Sequence, residues 1–234
     1  MSLLPRIRPL LLVPVAVLLC SCFASADETT KPLPVPLVDT VGPAAPGETA
    51  VLAGGCFWGM QGVFQHVQGV SQVVSGYSGG DKSTAQYETV SGGQTGHAES
   101  VKIVFDPKKV SYGQILRIYF SVMDPTELNY QGPDEGTQYR SEIFAAGPEQ
   151  KRIADAYIAQ LTKAHAFAQP IVTKVGAFKG FYAAEDYHQD YLIHNPSQPY
   201  IAINDLPKVA TLERLYPASW REAPVMVFPG RASL

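Results

Sequence analysis

Gly54-Gly55-Cys56-Phe57-Trp58-Gly59 is the stretch from which the fold is read. An apolar run, Ala50-Val51-Leu52-Ala53, leads into it, and an amphipathic run from Met60 to Val67 follows. That pattern predicts a buried strand, a glycine turn and then a helix. It places Cys56 in the first turn of the helix, where unpaired N–H groups and the macrodipole favour an anion. A thiolate is an anion, so the expectation is a lowered thiol pKa and a reactive sulfur. Phe57 and Trp58 flank that sulfur with apolar surface, which suits a substrate with a small apolar group at its reacting atom. The plain alternative is that a lone cysteine is a small buried hydrophobe.

Outward from this stretch, Val70 to Tyr77 reads as a strand, followed by a glycine-punctuated loop from about Ser78 to Gly96. Loops of that length are commonly functional. Ala98 to Phe105 is a strand ended by Asp106-Pro107. Tyr112, Ile115, Leu116, Tyr119, Val122 and Met123 fall at helical spacing and predict a helix over 111–123. A second polar, glycine-rich loop runs to Thr137. Gln138 to Ala145 is a strand, Pro148 opens a helix reaching about Ala164, and Ile171 to Val175 is a further strand. Glu185-Asp186-Tyr187-His188 opens a short ordered segment, and a last helix lies near Lys208–Leu215. The order β-α-β, β-α-β, α-β points to a ferredoxin-like α+β two-layer sandwich of split βαβ units, with extra C-terminal segments.

The chain has 234 residues, 46% hydrophobic and 17% charged, which suits one globular domain with a substantial core. Arg6 and Arg8, the apolar Leu10 to Leu19 and the small residues Ala24-Ser25-Ala26 make residues 1–26 a signal peptide. A second option is lipidation at Cys22 in the poor lipobox-like string Leu19-Cys20-Ser21-Cys22. Either way the expectation is export, to a bacterial periplasm, with no transmembrane span in the mature chain. Residues 27–48 hold five prolines and no periodic apolar pattern, so they read as a flexible linker. The catalytic domain is read over 49–220, with a loose tail over 221–234. Cleavage after Ala26 leaves 16 basic and 21 acidic residues, a net charge of −5, which gives no sign of nucleic acid as a partner. The mature domain then keeps only Cys56, and no internal disulfide forms.

Several groups have the chemistry to act with this thiol. Strand alternation puts Glu99, Val101, Ile103 and Phe105 on one face. Three of the four are large and apolar, so Glu99 sits at the mouth of the inner face as a partly desolvated acid with a raised pKa. A carboxylic acid kept protonated near neutral pH donates protons. Tyr87 and Tyr139 are candidate O–H donors, and Asp134 lies in the second loop. His97 or His188 paired with Cys56 describes a cysteine hydrolase or acyltransferase instead. A non-enzymatic module that binds methionine-rich segments through its aromatic residues is a third reading. No HExxH or paired cysteines are present, so no metal is expected.

Taken in order, Gly55-Cys56-Phe57-Trp58-Gly59, Gly96-His97-Ala98-Glu99, Asp124-Pro125-Thr126, Gly136-Thr137-Gln138-Tyr139-Arg140-Ser141 and Glu185-Asp186-Tyr187-His188-Gln189 closely resemble the peptide methionine sulfoxide reductase A (MsrA) family. The resemblance spans about Thr49 to Trp220. It implies reduction of methionine S-sulfoxide, free or in oxidised proteins. Cys56 is then the nucleophile, Phe57 and Trp58 hold the S-methyl group, and Glu99 protonates the oxygen. Tyr87, Tyr139 and Asp134 complete the polar side. No bound cofactor is implied. Ser91 stands where some relatives carry a further cysteine. The expectation is therefore that a Cys56 sulfenic acid is reduced directly by an external thiol, either a thioredoxin-like protein or a glutaredoxin- or glutathione-type donor.

Overall fold

The structure is a computed structural model that describes residues 31–40 and 47–230. The leader read over 1–26, with Cys20 and Cys22, lies outside the described residues. The first strand, β1 (Glu48–Gly54), runs through the turn at Gly55 into α1 (Phe57–Gln65). Gly55 has φ +84°, and a Cβ there would come within 2.5 Å of the Gln131 side chain. Both the left-handed backbone and the close approach require glycine. Next come β2 (Val70–Ser78), the short α2 (Tyr87–Val90), β3 (Ala98–Phe105) and α3 (Tyr112–Val122). A two-residue hairpin, β4 (Tyr130–Gln131) and β5 (Asp134–Glu135), precedes β6 (Ser141–Ala145) and α4 (Pro148–Lys163). The chain continues through β7 (Lys174–Ala177), β8 (Phe181–Ala183), α5 (Tyr191–His194) and α6 (Leu206–Leu215).

The fold is mixed α+β. Six strands form one sheet in the order β7-β6-β1-β3-β2-β8. All neighbours are antiparallel except β6 and β7. Because β3 lies between β1 and β2, α1 must cross over the sheet to connect them. Leu52, Val101, Ile103 and Phe105 share a buried core with Val63 and Phe64 of α1 and Ile115, Leu116 and Tyr119 of α3. Among the described residues the opposite face carries a small cluster, Val51, Ala53, Ala98 and Phe144, with Phe181 packed against it. The alternation read along β3 holds, and Glu99 is in phase with the core residues at 3% exposure.

Four segments differ from the sequence reading. Residues 31–39 are not a free tether. Leu33 is buried, its N–H donates to the Tyr216 hydroxyl and its carbonyl accepts from Arg117 Nε. Tyr157 and Gln160 of α4 donate to the carbonyls of Pro34 and Val35, and Asp39 accepts from Gly113 N–H at the start of α3. A proline-rich strap has few N–H groups but every carbonyl, and the helix side chains satisfy those. The tail is likewise tied down as far as Phe228. Arg221 donates to the carbonyls of Val67 and Val70, and the N–H groups of Val227 and Phe228 donate to the buried Asp190 carboxylate. The strand expected from Gln138 begins only at Ser141, because Thr137–Tyr139 form a 3₁₀ turn. The strand expected over Ile171–Val175 starts at Lys174, because Val172 N–H bonds the Pro125 carbonyl outside the sheet.

Candidate active site

Cys56 is the residue that caps α1, one position before the helix proper, and it is 6% exposed. It lines a cavity of about 200 Å³ with Phe57, Trp58, Tyr87, Glu99, Asp134, Tyr139 and Tyr200. All seven residues singled out in the sequence therefore meet in one place. They arrive from five separate regions: the α1 start, α2, β3, the β4–β5 hairpin and the 3₁₀ turn before β6.

The electrostatics of the thiol run opposite to the sequence expectation. Burial pushes the Cys56 pKa well above that of an ordinary thiol, and the neighbouring Glu99 and Asp205 carboxyls push it the same way. Lys208 and a backbone hydrogen bond from the Trp58 N–H pull it down, but less. The helix terminus gives only a partial positive charge, and desolvation outweighs it. At rest Cys56 is a neutral thiol.

Glu99 does follow the expectation. Burial raises its carboxyl pKa to about 8, with Asp134 and Asp205 adding to the rise. The Phe57 N–H donates to Glu99 Oε2 at 3.0 Å, opposes the rise and pins the carboxyl beside the Cys56–Phe57 peptide. At neutral pH this side chain is mainly an uncharged acid. Burial likewise holds Tyr87 and Tyr139 as neutral O–H donors, each with its pKa raised. Asp134 is also pushed up by burial, against the hydrogen bond that it accepts from the Tyr200 hydroxyl.

Tyr200 is the site residue that sequence reasoning missed. It stands just before a single π-helical turn, Ile201–Asp205, in a stretch without glycine punctuation or clean periodicity. Only the contact with Asp134 and the edge-on packing of Trp58 against its ring, at 6.1 Å, reveal it.

The Glu185-Asp186-Tyr187-His188-Gln189 string supports the site from behind. Glu185 accepts from the Tyr87 N–H and the Tyr77 hydroxyl, which fixes the start of α2. His188 Nδ1 accepts from Trp58 Nε1 at 3.1 Å, and Trp58 stacks on Tyr191 at 4.0 Å. Gln189 bridges Gln61 of α1 and Ser75 of β2. These bonds also weigh against a cysteine–histidine pair. Burial lowers the His188 pKa, so the ring stays neutral with its Nδ1 already engaged. Both ring nitrogens of His97 face backbone groups, the Gly80 N–H and the Asp81 carbonyl. Among the described residues no three His, Cys, Asp or Glu side chains cluster as a metal site.

A family profile described as "Peptide methionine sulfoxide reductase" matches residues 48–219. Peptide methionine sulfoxide reductase MsrA 2 of Mesorhizobium japonicum is 63% identical over 186 residues, covering 79% of this chain and 95% of that protein. The enzyme of the same name from a Synechocystis strain is 54% identical, covering 80% and 89%. The solved structure of methionine sulfoxide reductase A of Corynebacterium diphtheriae superposes with a TM-score of 0.58. It is 31% identical, covering 74% of this chain and 87% of that one.

Proposed function

This chain belongs to the peptide methionine sulfoxide reductase family and is an oxidoreductase that reduces methionine sulfoxide, and we propose that it does so by attack of Cys56 on the sulfoxide sulfur while Glu99 protonates the oxygen. The observation that carries this reading is the buried Glu99 carboxyl. It is held neutral near pH 7 and bonded to the peptide next to the nucleophile, inside the same cavity.

The substrate methyl group rests on Phe57 and Trp58, and the S epimer directs its oxygen toward Glu99, Tyr87 and Tyr139. A sulfoxide oxygen does not leave as an oxide. Glu99 donates its proton to that oxygen as the Cys56 sulfur forms a bond to the substrate sulfur, and the thiol proton passes to the vacated Glu99 carboxylate. This order suits a thiol that is neutral at rest: the carboxyl gains basicity only once it has given its proton away. The hydroxyl then transfers to the Cys56 sulfur, releasing methionine and leaving a sulfenic acid. One external thiol condenses with the sulfenic acid to a mixed disulfide and water. A second restores Cys56 and leaves as a disulfide. An external donor is the simplest supply, since Cys56 is the one free cysteine among the described residues.

We also read the inner strands, in the order β6-β1-β3-β2 with α1 and α3 as crossovers, as the ferredoxin-like arrangement. The basic, apolar and small-residue succession over 1–26 supports export. Mass spectrometry after one turnover without reductant tests the mechanism. One oxygen is expected on Cys56, and none on a Cys56→Ser variant. Methionine formed at the wild-type single-turnover rate by Cys56→Ser ends the proposal.

A further inference from the structure

Three acidic groups share the first turn of α1. Glu99 accepts from the Phe57 N–H, and the Trp58 N–H is hydrogen-bonded to Cys56. The third is Asp205, whose carboxyl packs against Gly59: a Cβ there would lie 2.2 Å from Asp205 Oδ1 and 2.7 Å from its Cγ. Position 59 takes a glycine because that carboxyl fills the space a side chain would need. Asp205 closes the π-helical turn Ile201–Asp205. A π turn bonds residues five apart, so one segment presents Tyr200 to Asp134 and Asp205 to α1.

Asp205 is wholly enclosed. Its Oδ1 accepts from Lys208 Nζ at 3.0 Å, and its Oδ2 has no hydrogen-bond partner among the described residues. A half-partnered buried carboxylate costs stability and calls for a reason. Charge balance supplies one. The helix terminus offers a partial positive charge, and among the described residues Lys208 is the one cation that acts on Cys56. Asp205, ion-paired with Lys208, takes up that positive potential. A further negative charge on the sulfur would face Asp205, Glu99 of β3 and Asp134 of the β4–β5 hairpin, with only the neutral hydroxyls of Tyr87, Tyr139 and Tyr200 between them. Lys208 is also shared with Asp134 and Glu127, whose carboxyls it draws down.

We propose that Asp205 is a positioning residue for the reaction: with Lys208 as its counter-ion it fills the place for a negative charge at the N-terminus of α1, and so keeps the Cys56 sulfur an uncharged thiol between turnovers. Thiol oxidation follows thiolate character, so this arrangement shields the nucleophile from oxidants in solution. The proposal rests on the catalytic reading above. Wild-type turnover of N-acetylmethionine sulfoxide checks that reading separately, whereas alkylation reports on the thiol itself.

The test measures the pH profile of Cys56 alkylation by iodoacetamide in the wild type, Asp205→Asn and Asp205→Asn/Lys208→Met, each checked for folding by circular dichroism. Asparagine keeps the shape of Asp205 and an oxygen for Lys208, and loses only the charge. The double variant removes the buried pair as a unit, a replacement that folds tolerate well. Asp205→Asn should move the inflection down by roughly one pH unit, as removal of a nearby like charge does. At pH 7 the thiolate then becomes ~10-fold more abundant. Each thiolate is a weaker nucleophile, so alkylation should run ~3-fold faster or more. The double variant should return most of the way to the wild type, since the cation that Asp205 balances is gone as well. An Asp205→Asn profile that superimposes on the wild type overturns the proposal. So does a faster rate at every pH with the inflection unmoved, which would mean that the site has merely loosened. A double variant alkylated as fast as Asp205→Asn overturns it too, because Lys208 would then not be the counter-ion.

Discussion

Glu99→Gln separates the proton from the hydrogen bond. The amide keeps an oxygen to accept the Phe57 N–H, whose bond to Glu99 is 3.0 Å, so the geometry of the α1 start survives. What disappears is the acid. With a pKa of about 8, against 4.5 for an ordinary glutamate, roughly nine-tenths of Glu99 is protonated at pH 7, where an ordinary glutamate would be protonated in only a few molecules per thousand. That difference is worth ~5 kcal/mol in favour of the neutral form. Loss of a positioned general acid costs a factor of about 10²–10⁴. In rapid-quench single turnovers the wild-type rate should be flat below neutrality and fall as pH rises through about 8, the Glu99 pKa. Glu99→Gln should be slow throughout and lack that inflection. Stability should move the other way. A carboxyl with a raised folded pKa binds more protons folded than unfolded, so it lowers stability as pH rises from 4.5 to about 8. Urea unfolding should therefore show Glu99→Gln gaining on the wild type toward alkaline pH, by a few kcal/mol at most, with the gain vanishing near pH 4.5. A wild-type single-turnover rate without an inflection near pH 8, or Glu99→Gln reacting as fast as the wild type, refutes the reasoning.

Three further outcomes are expected. Iodoacetamide alkylation of resting Cys56 should be slow at neutral pH and still be accelerating at about pH 9, because burial and nearby carboxyls hold the thiol neutral; an inflection below pH 7 would mean that the helix terminus wins. Gly55→Ala should cost ~2 kcal/mol or more in thermal or urea unfolding and depress activity, since a Cβ at φ +84° overlaps Gln131; an unchanged Tm would show that the hairpin yields freely. Leu33→Ala should cost ~2–3 kcal/mol, as expected for a buried leucine; a loss below ~0.5 kcal/mol would mean that the strap lies loosely on α3 and α4.

Some of this molecule was legible in one dimension. The turn at Gly54-Gly55 announced itself by residue type, because a left-handed backbone admits little else. The face of Glu99 followed from counting by twos along β3, since pleating is a local property. Tyr200 did not follow from any such count. Its role depends on a π-helical turn and on a hairpin about 70 residues earlier, and neither leaves a periodic trace. The proline-rich strap misled for a related reason: composition reports how few donors it has, not that Arg117, Tyr157 and Gln160 will satisfy its carbonyls.

By itself the sequence determined which atoms are available for chemistry, a thiol at a helix start and a carboxyl on an inward strand face, because backbone conformation and side-chain alternation are set by near neighbours. Tertiary structure alone decided the charge those atoms carry. A pKa sums desolvation and Coulomb terms over everything nearby in space, and around Cys56 that sum includes Glu99, Asp205 and Lys208, between about 40 and 150 residues away along the chain. The helix terminus that favours a thiolate was visible in the sequence; the burial that overrules it was not.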